Sequence, residues 1–162
     1  MSGTESWANF YVMVGGASAA LTGLVLVAVS LHLRAILGHP LYRDRAIASL
    51  QGLVTALILS GAVLMPQPLA ALGVEVGVIG LLWTARYLFF VRLFRRVTPA
   101  RRSAMWTPEW ALWFVWIFAF VATGALLVAG EPRALYVLAA CTGIGLALVV
   151  WNAWVLLAEV SG

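Results

Sequence analysis

PLAALGVEVGVIGLLWTARYLFFVRLFRR, residues 68–96, is the stretch that decides the fold. It is long and apolar enough to read as a membrane-spanning helix, yet it carries a carboxylate, Glu75, and a guanidinium, Arg86, within its apolar run. Eleven residues separate the two. At 100° per residue they fall within about 20° of each other on one helix face, but roughly 16 Å apart along the axis. They cannot neutralise each other within the helix, so each needs its own partner. A charge left in lipid costs several kcal/mol, so this face is expected to look into protein or water. Gly73, Gly77 and Gly80 lie on the opposite side, Gly73 and Gly77 in the small-xxx-small spacing that lets a second backbone approach closely. Arg86 is near the basic end of the helix and can snorkel to the interface. Glu75 is shorter and about 10 Å inside the helix start, so snorkelling is harder for it.

The rest of the chain is as apolar as this segment. Of its 162 residues 64% are apolar and 10% charged, and the mean hydropathy is +1.01. A water-soluble domain of that composition would expose an enormous apolar surface. The expected fold is an all-α polytopic transmembrane bundle, one domain over residues 1–162, with five spans near 7–33, 44–64, 68–94, 109–129 and 134–157. The segment before the first apolar run, MSGTES, is acidic, and that run is too long for a signal-peptide core, so the first helix is expected to be an uncleaved anchor.

The first span opens with Trp7, Phe10 and Tyr11 as interfacial aromatics. Gly15, Ala19 and Gly23 recur every four residues, a groove for close helix packing, with Ser18 and Thr22 on a neighbouring face. The linker RAILGHPLYRDR holds Arg34, Arg43 and Arg45, and Gly38 with Pro40 is expected to break the helix into a basic loop. The second span carries Gln51, Thr55 and Ser60. The uncharged turn MPQP then leads into the third helix with Pro68 at its first position.

Arg92, Arg95, Arg96, Arg101 and Arg102 form the most basic stretch, read as a topogenic flank touching anionic headgroups, with a docking surface for a cytosolic partner as the alternative. Thr107, Pro108 and Glu109 supply an N-cap, a first-turn proline and an early acid for the fourth helix. Trp110, Trp113, Phe114, Trp116, Phe118 and Phe120 follow, read as a lipid-facing aromatic belt. Glu131, Pro132 and Arg133 turn the chain into the fifth span. There Leu138, Cys141, Gly145, Leu148 and Asn152 share a stripe, and Cys141 reads as a small packing residue.

All ten cationic side chains are arginine, and eight lie in the first and third linkers against Arg133 alone on the other side. This asymmetry places the amino terminus outside and the carboxyl terminus inside, and it reads as topology rather than nucleic-acid binding. With that topology Ser60, Glu75, Thr123 and Thr142 fall in an outer polar layer, and Gln51, Arg86 and Asn152 in an inner one. One cysteine and two histidines near helix ends support neither a disulfide nor a metal site, and no cofactor is expected.

FYVMVGGASAALTGLVLVAVSLHL, followed by LMPQPLAALGVEVGVIG, resembles small uncharacterised bacterial integral membrane proteins, some of them labelled modulators of a membrane-bound AAA protease. The resemblance covers roughly the first half and implies a multi-pass protein of the bacterial inner membrane. The sequence favours a transport-type function, with an accessory role as the alternative. The first is a homo-oligomeric channel or ion-coupled carrier in which Glu75 binds or relays a cation or proton. The second is a non-conducting accessory or regulatory subunit that binds another membrane protein. Without an HExxH motif, a serine with a histidine base or a phosphate-cradling loop, an enzyme is not expected.

Overall fold

The computed structural model describes residues 5–95 and 108–161, and every regular element among them is helical. A short 3₁₀ turn, Glu5–Trp7, precedes α1 (Ala8–Leu31), α2 (Leu33–Gly38), α3 (Pro40–Leu64), α4 (Leu69–Arg95), α5 (Pro108–Val128) and α6 (Ala134–Ser161). Four of these contain segments long and apolar enough to cross a bilayer, Ala8–Leu31, Tyr42–Leu64, Leu69–Phe89 and Ala134–Glu159. In α5 the described apolar stretch is shorter, Phe114–Val128. Arg96, Arg101, Arg102 and Thr107 lie outside the described residues, as do the side chains of Arg95, Glu109, Trp110 and Trp113.

The first linker departs from expectation. It is a helical elbow and not a loop: α2 fills residues 33–38, and α3 begins at Pro40, four residues before the expected start near Asp44. Gly38 and Pro40 do interrupt the helix, because the residue before a proline is pushed out of the α region; His39 is extended, with φ −125° and ψ 116°. Proline then fits the first turn of α3, where its missing N–H has no helical partner to lose. Ile36 is the buried anchor that folds the elbow back, clustering with Ala46 and Leu156 beside Val29 and Tyr42.

At the second turn the correction is one residue. The Leu72 amide donates to the Pro68 carbonyl at 3.2 Å, so Pro68 stands just before α4 and not at its first position. The end of α5 carries a device the sequence reading passed over. Gly130 has φ +84°, the Glu131 amide donates to the Leu126 carbonyl and the Gly130 amide to the Leu127 carbonyl, both at 3.0 Å. These are the paired bonds of a Schellman cap, which needs a left-handed residue that glycine adopts without a Cβ clash.

The chain falls into two compact units, Met1–Pro66 with Thr142–Gly162, and Gln67–Cys141. In the first, α1 packs on α3 through the stripe Tyr11, Val14, Ser18 and Val25. The expected Gly15, Ala19, Gly23 groove is used only at its first member. A β-carbon on Gly15 would lie 3.2 Å from Ser60 Cβ, whereas Ala19 and Gly23 are exposed and the space beside Gly23 is open. The face with hydroxyls is packed instead: Thr22 returns its hydroxyl to the Ser18 carbonyl at 2.7 Å, while the small Ser18 side chain is buried with no hydrogen-bond partner for its own hydroxyl among the described residues. Also in this unit, a β-carbon on Gly52 would overlap Val149 Cγ2, so the Val149 side chain of α6 sits directly on the α3 backbone there.

In the second unit α4 packs along α5, and the small residues of α4 do what their spacing predicts. A β-carbon on Gly73 would lie 2.6 Å from the Val128 nitrogen and 2.8 Å from the Gly124 carbonyl oxygen; one on Gly80 would lie 2.8 Å from Val121 Cγ2. Gly124, which the sequence reading did not single out, is the matching notch on α5. The aromatic belt is corrected on the same helix. Trp116 and Phe120 are buried, 8% and 2% exposed, while Phe114 and Phe118 face outward. Trp116 packs edge-on against Trp83 with ring centroids 5.7 Å apart and donates its indole N–H to the Cys141 carbonyl at 2.7 Å. An indole in a core needs such an acceptor, and the helix supplies it.

Candidate functional site

The two charges in the apolar run of α4 are held differently. α4 places Glu75 two turns from its start, and side chains on a helix lean toward its amino-terminal end. That lean carries the carboxylate back toward the preceding turn, where Gln67 stands between Pro66 and Pro68. The Gln67 amide donates to Glu75 Oε2 at 3.0 Å. The carboxylate therefore does reach back to a polar partner, more readily than the length of a glutamate suggests. Glu75 is nevertheless exposed on its own unit, and its immediate neighbours on that outer face, Val74, Val78 and Leu82, are 57%, 48% and 66% exposed. The expectation that Glu75 looks inward is not met within its unit. The buried face of α4 carries Leu72, Gly73, Val76 and Gly80, and its two glycines are the points that admit α5.

Arg86 is half-buried in the carboxyl-terminal half of the same helix. Eleven residues separate it from Glu75, about 16 Å along the axis, so the acid and the base do not pair within α4.

The buried polar side chains among the described residues are five hydroxyls, Ser18, Ser49, Ser60, Thr123 and Thr142. Ser60 donates to the Ala56 carbonyl at 2.7 Å and Thr123 to the Ala119 carbonyl at 2.6 Å, each closing on its own helix four residues back. Ser60 and Thr123 are each buried within their own unit, whereas Glu75 is exposed on its unit. The inner layer is also rearranged. Gln51 is exposed on α3, so it does not meet Asn152. Asn152 instead donates to Ser49 Oγ at 2.8 Å and to the Arg45 carbonyl at 3.1 Å. Ser49 was missed. Its signal is a stripe of small residues on α3, Ala46, Ser49, Gly52 and Ala56, along which a facing helix carrying an amide can come close. At the same end Arg45 and Glu159 approach to 3.5 Å, an exposed pair worth little by itself.

His32 holds its Nδ1 3.1 Å from the Ala28 carbonyl oxygen, and His39 stacks on Tyr42. Among the described residues no three metal-ligating side chains come together. Comparison of the chain with protein-family models, curated proteins and solved structures gives no match. What the site offers chemically is an outward-facing carboxylate with one amide donor and acceptor capacity to spare, set in an apolar helix face.

Proposed function

We propose that this chain is a polytopic inner-membrane protein that acts by lateral association in the bilayer, as a non-conducting accessory or regulatory subunit of another membrane protein. It uses the outer face of α4 as its contact. The observation carrying the reading is Glu75, exposed among Val74, Val78 and Leu82 with the Gln67 amide beside it. A carboxylate left against acyl chains is costly, and a neighbouring helix that presents a guanidinium, ammonium or amide donor removes that cost. The five hydroxyls of the interior carry no charge. The resemblance to proteins labelled protease modulators agrees with a subunit that performs no chemistry of its own. In this reading the fifth span is α5, the amino terminus is outside and the arginine-bearing linkers are cytoplasmic.

The second reading is the homo-oligomeric channel or ion-coupled carrier. The same exposure favours it, because a carboxylate on the outside of one copy lines a shared path only when copies assemble around an axis. Purification of the full chain in mild detergent separates the two. A stoichiometric foreign membrane protein that co-purifies, and is lost in Glu75→Gln, supports the accessory role. A self-assembled ring whose liposomes pass cations or protons, with flux abolished by Glu75→Gln, replaces it with the second. A monodisperse monomer with neither property removes both.

A further inference from the structure

The elbow joining α1 and α3 is a folded element with its own surface. Because it lies between Ala8–Leu31 and Tyr42–Leu64, each long enough to cross a bilayer, the elbow stands at the membrane edge. Ile36, 2% exposed, pins α2 against Ala46 and Leu156. With Ile36 turned inward, Leu33 and Leu37 are left outward, 46% and 59% exposed, one helical turn apart. Arg34 and Arg43 are also exposed, on the two arms of the elbow, and His39 is exposed between them. Arg45, the third arginine here, is occupied by Glu159. Asp44, half-buried, is the one acid in residues 32–45.

Exposed apolar side chains and exposed guanidiniums within one short helical elbow at the bilayer edge match a single kind of partner. Leucines enter the acyl boundary while arginines meet phosphate, which guanidinium recognises through paired N–H donors. We infer that this elbow is a binding surface for the headgroups of anionic phospholipids, with Arg34 and Arg43 as the phosphate contacts and Leu33 and Leu37 as the acyl-side anchors. The packing of Ile36 makes the surface ordered before lipid arrives, so binding does not have to fold the segment first. This role is separate from the α4 face and stands whether or not that face has a partner.

The test is lipid binding to the detergent-solubilised full chain, titrated with phosphatidylglycerol and with phosphatidylcholine and read by native mass spectrometry. Wild type should prefer phosphatidylglycerol. Each basic residue near an anionic surface contributes roughly a fivefold gain in binding, so Arg34→Gln and Arg43→Gln should each weaken the preference about fivefold and the double variant about 25-fold. Arg133→Gln, in the turn between α5 and α6, should leave it unchanged. Equal binding of the two lipids by wild type would overturn the inference, as would wild-type preference in the double variant. Should the double variant fail to fold, the two single variants decide on the same criterion. Competition by millimolar inorganic phosphate that abolishes the preference would also overturn it, by showing that a free anion satisfies the site without a lipid.

Discussion

Gly124 of α5 stands so close to Gly77 of α4 that a β-carbon on Gly124 would lie 2.7 Å from the Gly77 nitrogen, although a β-carbon on Gly77 itself would meet nothing within 4 Å. The notch is one-sided: Gly124 is pressed into the α4 backbone, whereas the Gly77 side-chain direction points past α5. Gly124→Leu should therefore force the helices apart and cost at least about 1–3 kcal/mol, while Gly77→Ala should change stability little. Thermal unfolding of the two variants in the same detergent checks the contrast, and equal losses would contradict the crossing geometry.

Trp116 gives a second comparison on α5. Trp116→Phe keeps most of the ring packing against Trp83 and Phe120 but removes the indole donor to the Cys141 carbonyl, so a loss of about 1 kcal/mol is expected. Trp116→Ala empties the site as well and should cost about 3–5 kcal/mol. Phe118→Ala, on the outward face, should stay within about 0.5 kcal/mol. A melting series in which Phe118→Ala is the most damaging would reverse the assignment of faces.

In the other unit the Asn152 amide and the Ser49 hydroxyl form a bond 2.8 Å long. A double-mutant cycle of Asn152→Leu and Ser49→Ala should return a coupling of about 0.6–1.7 kcal/mol, the range found for hydrogen bonds between membrane helices. Gln51→Leu, on the exposed side of α3, should couple to neither. Coupling between Gln51 and Asn152 instead would mean that α3 is rotated about its axis.

Glu75 and Gln67 are expected to separate folding from association. Because Glu75 is exposed on its unit, Glu75→Gln should leave the unfolding midpoint within a degree or two of wild type, yet reduce co-purification of a partner, or self-assembly, at least tenfold. Gln67→Ala should give a smaller loss of association, since it frees the carboxylate without removing it. A midpoint that falls sharply in Glu75→Gln would show that the carboxylate holds the fold and not a neighbour.

Much of the helical framework was legible from residues alone. Runs of apolar residues longer than a bilayer is thick leave few alternatives to a helix, since every backbone N–H and C=O in lipid must bond within its own segment. The breaks at Gly38 with Pro40 and at MPQP follow from proline's fixed φ and missing donor. The small-xxx-small face of α4 was legible for a similar reason: only residues lacking a bulky side chain allow two backbones to meet, and Gly73 marks where they do.

What a membrane sequence does not disclose is direction. In a water-soluble helix the polar face looks out; here lipid and protein interior are equally apolar, so hydrophobic patterning cannot say which stripe is inside. This is why Trp116 and Phe120 turn inward while Phe118 turns out, why Ser18 and not Gly23 is packed, and why Asn152 chose Ser49 over Gln51. Composition and span length by themselves determined that the chain is a helical membrane protein with an acid in one apolar helix. Only the tertiary structure decided that this acid faces outward beside Gln67, because the choice between two apolar surroundings rests on side-chain volume and on which hydrogen-bond partner lies within reach, and neither is written in periodicity.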